Sequence, residues 1–61
     1  MLCRCVADAV LRDESWEVIC DMNKGDVAMV VGRVGSIHLQ VLFGGVVGAV
    51  FKGCVELLEE S

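Results

Sequence analysis

A chain of 61 residues makes one domain at most, and it buries only about 60% of its unfolded surface. Apolar residues make up 56% of it, and nine acids against five bases leave a formal charge of −4. The bases (Arg4, Arg12, Lys24, Arg33, Lys52) are scattered singly, which excludes the clustered phosphate-neutralising surface of a nucleic-acid binder and favours a basic partner instead.

Residues 2–10 alternate, with Leu2, Arg4, Val6 and Asp8 on one parity and Cys3, Cys5, Ala7 and Ala9 on the other. Period two predicts a first strand with one face of small residues. Val10 to Glu17 loses the pattern and collects Arg12, Asp13, Glu14 and Glu17 around Ser15 and Trp16, which predicts a long loop with an acidic tip. Alternation returns at Val18–Met22, and Asn23-Lys24-Gly25-Asp26 reads as a tight turn with Gly25 at positive φ.

Val27–Val31 is an apolar run of strand length, and Gly32 to Gly35 is expected to turn. Ile37–Phe43 and Val46–Phe51 flank Gly44-Gly45, a two-residue hairpin signal. Pairing outward from that turn sets Phe43 against Val46, Val41 against Gly48 and Leu39 against Val50 on a core face. On the outer face it sets His38 against Phe51 and Gln40 against Ala49. Residues 56–61 are read as an acidic C-terminal end with at most one frayed turn. Five strands with frequent turn signals predict a single closed β-barrel over residues 1–61, since closure hides Val-rich edges.

The 18 uncharged residues 34–51 reach the lower limit of a membrane-spanning helix, and Gly44 and Gly48 form a G-x-x-x-G pair. A single-span membrane protein is therefore an alternative. Four glycines, Ser36, His38, Gln40 and a Val-rich apolar set speak against it. The N-terminus has no basic segment followed by a continuous apolar core, which predicts a cytoplasmic location.

Chemistry-bearing residues are few. Cys3-x-Cys5 with isolated Cys20 and Cys54 lacks the paired knuckle spacing of zinc, and an i, i+2 pair on one strand is too far apart for a disulfide. Buried free thiols are expected, with no metal or cofactor. His38 has no adjacent nucleophile or acid in the sequence, so an enzyme or ligand site would arise only where copies of it meet at an oligomer axis. The glycines form no phosphate-binding loop. Trp16, ringed by acids, is the natural aromatic anchor for an interface.

At the level of motifs the chain resembles SH3 domains. Cys5-Val6-Ala7-Asp8-Ala9 stands where that family carries Ala-Leu-Tyr-Asp-Tyr, Arg12–Glu17 is similar to the acidic RT loop, and Gly48–Leu58 resembles the closing segment. The positions that wall the family's proline-binding grooves fall on Ala7, Ala9, His38, Ala49, Phe51 and Cys54. Only Phe51 is aromatic, so the resemblance implies the fold and not proline-rich ligands. Gly35-Ser36-Ile37-His38-Leu39-Gln40-Val41-Leu42-Phe43-Gly44-Gly45 is also similar to stand-alone SH3-like barrels of bacteria and phages. KOW-type ribosomal barrels share the pattern loosely, without their basic surface here. The resemblance implies a phage or plasmid accessory protein docking on a host factor. The expected contact surface is Asp13, Glu14, Trp16 and Glu17 with His38, Gln40, Ala49 and Phe51, and the apolar surplus (mean hydropathy +0.68) implies a patch for self-association or a partner.

Overall fold

The structure, a computed structural model, describes residues 1–58. They form an all-β sheet of seven antiparallel strands: β1 (Leu2–Cys5), β2 (Ala9–Arg12), β3 (Val18–Met22), β4 (Val27–Val34), β5 (His38–Phe43), β6 (Val46–Phe51) and β7 (Val55–Leu58). A three-residue 3₁₀ turn, Lys52–Cys54, joins the last two. The strand order is β3-β2-β6-β5-β4-β1-β7.

Two features of the sequence expectation are corrected: the strands number seven rather than five, and the sheet is open rather than a closed barrel. The stretch 2–10 is not one strand. It bends at Val6 and Ala7, where the Val6 N–H donates to the Cys54 carbonyl and the Asp8 carboxylate accepts from the Lys24 N–H. That bend carries residues 9–12 away from β1 to the far side of β6, so β1 and β2 belong to opposite halves of the sheet. The seventh strand lies where a frayed acidic turn was expected: Glu56 pairs with Arg4 in register and by an exposed ion pair, while Leu58 pairs with Leu2. Residues 59–61 of that acidic end lie outside the described residues. Edges β3 and β7 are the unpaired margins that closure would have joined.

The sheet nevertheless curls around one core. Cys3 and Cys5 of β1, Leu11 of β2, Met22 of β3, Ala28 of β4, Val41 of β5 and Val50 of β6 pack in a single cluster. The β5–β6 hairpin carries the register expected from the Gly44-Gly45 signal, pair for pair from Phe43↔Val46 to His38↔Phe51. Both turn glycines have positive φ, +59° and +83°, the conformation that a right-twisted two-residue hairpin demands. The segment 34–51 is thus the end of β4 and this hairpin. Among the described residues no helix is long and apolar enough to cross a membrane.

Strand β4 runs through Gly32 to Val34, so the turn falls at Gly35–Ile37, and Ile37 is exposed rather than in the core. A bulge between Val30 and Gly32 inserts Val31 as an extra residue and shifts the parity of the rest of the strand. As a result Gly32 stands opposite Gln40, and Val34 opposite His38, on the outer face.

Cys3 and Cys5 are buried and free, as their shared parity predicts; Cys20 and Cys54 are free and half-buried. Burial pushes the Cys3 thiol above its ordinary value of 9.0, opposed by a hydrogen bond with the Ala28 backbone. Burial does the same to Cys5, reinforced by Cys3, Asp26, Cys54 and Asp8. Both groups have folded pKa values above their unfolded ones, so their contribution is intact below the unfolded value and is lost as pH rises through the folded one. The urea midpoint is therefore expected to hold steady to about pH 8 and to fall above about pH 9. Cys5→Ala should flatten that fall; an alkaline limb unchanged by the substitution would mean another group drives it.

Candidate functional site

The expected site residues come from two elements far apart in sequence: the β2–β3 loop and the outer face of β5–β6. The loop is a built structure rather than a slack tip. The Asp13 carboxylate accepts from the Ser15 N–H at 2.8 Å and the Glu17 N–H at 3.0 Å. The Asp13 N–H donates to the Glu17 carbonyl, and the Trp16 N–H donates to the Asp13 carbonyl, both at 2.9 Å. Arg12 closes the ring by donating from its guanidinium to the Trp16 carbonyl at 2.8 Å.

These bonds hold Trp16 in the left-handed region, at φ +63°, the single non-glycine residue there among those described. For a bulky L-residue this conformation costs roughly 1–2 kcal/mol. The return is a fixed direction for the indole, which leans over the sheet and meets the His38 ring edge-on at 4.9 Å between centroids. His38 in turn meets Phe51 edge-on at 5.9 Å. Gly53 makes room for Phe51, since a Cβ there would lie 2.5 Å from the ring. Trp16 and Phe51 stay about half exposed (48% and 46%), so three rings form a ridge open to solvent.

Beside the ridge is a cleft of about 660 Å³. The loop residues Asp13, Glu14 and Trp16 form one wall, and Gln40 and the buried Ala49 belong to the sheet side. Five of the eight expected site residues therefore line one cleft. His38 and Phe51 extend it as the aromatic ridge, while Glu17 is exposed on the loop and its side chain is not part of the lining.

Five lining residues lie outside the expected set: Ser15 and Gly48, which neighbour expected ones in sequence, and Arg12, Val34 and Val47. Arg12 looks like one more scattered base, yet it lines the cleft and clamps Trp16; its position four residues before Trp16, across an acidic turn, is the only available hint. Val34 and Val47 also line the cleft. The bulge brings Val34 to the outer face, and no residue type marks that bulge in advance.

The ring contacts of His38 are Trp16 and Phe51 rather than a nucleophile or carboxylate. Among the described residues, no three His, Cys, Asp or Glu side chains converge to hold a metal ion. The arrangement is suited to contact: exposed aromatic area next to a cleft of mixed polarity that has Asp13 and Glu14 on one wall. In comparison with known proteins, no family model, curated protein or solved structure matches this chain.

Proposed function

We propose that this protein is a non-enzymatic interaction module of SH3-like type that binds another protein through the Trp16–His38–Phe51 ridge and the acidic cleft beside it. The observation that carries this reading is the strained, hydrogen-bonded loop that holds an exposed tryptophan against a second aromatic pair. A backbone cost of that kind persists at sites where the displayed side chain has a role in binding or switching. The SH3-like assignment is supported by an acidic loop standing over the sheet face and by a closing segment that returns to pair with the first strand. The acidic wall (Asp13, Glu14) and the net charge of −4 favour a partner with a basic surface. A phage or plasmid accessory protein docking on a host factor fits this chemistry by analogy of fold.

Immobilised full-length protein should retain a specific partner from the source cell. Trp16→Ala or Phe51→Ala should weaken that capture at least tenfold, the effect of losing an aromatic anchor, with an unchanged far-ultraviolet circular dichroism spectrum. Binding should also weaken as salt is raised from about 0.05 to 0.5 M. Equal capture by wild type and both folded variants would overturn the reading.

A further inference from the structure

The outer face of the sheet carries a second surface that the aromatic ridge does not use. Strand register places Leu58 opposite Leu2, Leu2 opposite Met29, Met29 opposite Leu42, and Leu42 opposite Val47. One side chain from each of five adjacent strands thus stands in a single row, β7-β1-β4-β5-β6. At the usual spacing between strands the row is about 19 Å long. Four of its members, Leu2, Met29, Leu42 and Val47, are 38–48% exposed, far more than core positions of a sheet. Val31, displaced outward at the bulge, and Val27 add to the same apolar surface.

We propose that this face is the contact between two copies of the chain, stacked as a symmetric dimer. The row contains no charged residue, and the neighbouring row holds Glu56 and Arg4, which neutralise one another. A two-fold axis through Met29 and Leu42 lays the middle of the curled row on its own copy, apolar on apolar, with no unpaired charge buried. Covering the patch on both copies buries on the order of 1,000 Å², the threshold of a specific interface. A basic protein finds no acid in this row to recognise. An anionic membrane finds no ring of cations, because Arg4 is held by Glu56.

The fold gives a second reason. Among the described residues the buried hydrophobic core has eight members, and all four cysteines are free, so no disulfide braces it. Domains of this size otherwise gain support by association. Dimerisation through this face leaves Trp16, His38 and Phe51 uncovered at the other end of β5–β6, and the two surfaces meet only at Val47, which closes the row and also lines the cleft.

Sedimentation equilibrium of the full chain tests it. The wild type should reach twice its 6.6 kDa mass at tens of micromolar. Leu42→Glu and Leu42→Lys should each sediment as monomers with unchanged circular dichroism, and mixing them should restore a one-to-one dimer, because the face meets itself. Trp16→Ala should remain dimeric. A monomeric wild type overturns the proposal whether or not the variants fold; if that monomer co-sediments with phosphatidylcholine vesicles, the face belongs to lipid instead. Folded Leu42→Glu that stays dimeric also overturns it.

Discussion

Leu11→Ala is expected to lower the unfolding free energy by about 2–5 kcal/mol, as for other truncations of fully buried leucines. Leu11 has no exposed surface and is the first in size among the fully buried side chains. It comes from β2, outside the β5–β6 hairpin, and it reaches the core cluster containing Val41 and Val50. A single-core domain this small has only about 3–5 kcal/mol in hand. The variant should therefore be largely unfolded at 25 °C, or show a urea midpoint near zero. A loss below about 1 kcal/mol would mean that the site collapses around the cavity and that Leu11 is not a keystone.

Gly48→Val should be the second severe change, and it acts at the same place from the other side. A Cβ on Gly48 would stand 2.7 Å from Leu11 Cγ, 2.8 Å from the Arg12 carbonyl oxygen and 3.1 Å from Ile19 Cδ1. The two leucine and isoleucine atoms belong to side chains that can rotate. The Arg12 oxygen is backbone, and Arg12↔Ala49 is the single registered pair between β2 and β6. Even Gly48→Ala should cost about 1–3 kcal/mol by overpacking, and the larger valine more. Combining Gly48→Ala with Leu11→Ala should be less damaging than the sum of the two, with a coupling of about 0.5–3 kcal/mol. Rescue should remain incomplete because the Arg12 carbonyl stays in place. Strict additivity in urea titrations, run with a stabilising osmolyte so that all four proteins start folded, would show that the two residues do not share this contact.

Local patterns carried much of this protein and long-range ones did not. Counting outward from the Gly44-Gly45 turn was enough to set the register of the β5–β6 hairpin, because the whole hairpin lies within fourteen residues of sequence. Cys3 and Cys5 were legible as one buried face for the same reason. The break at Val6–Asp8 was not, since neither glycine nor proline marks it; it exists because Val6 and Asp8 bond to Cys54 and Lys24, residues distant in sequence. The last strand was hidden by its shortness, four residues with Glu56 among them, and its pairing shows only once β1 lies beside it and Arg4 meets Glu56.

The candidate site divides in the same way. The acidic loop, Trp16 and the outer face of the hairpin were visible as separate pieces. Their meeting in one cleft depends on the curl of the sheet, and the roles of Arg12 and Val34 depend on a left-handed tryptophan and a bulge. Neither has a residue signature. A positive φ at tryptophan is the reverse of what propensity suggests.

The thin seam between β2 and β6 also shapes how such a protein can change over generations. The loop from Asp13 to Glu17 satisfies its backbone with its own Asp13 carboxylate and Arg12; Arg12, the last residue of β2, makes the one registered pair with β6 just before it. Those bonds fix the length of the loop and the identity of Asp13, whereas the exposed side chains of Glu14 and Ser15 can change at little cost to the scaffold. Leu11 and Gly48, one step away, cannot drift. The boundary between the recognition surface and the scaffold that carries it falls within two residues.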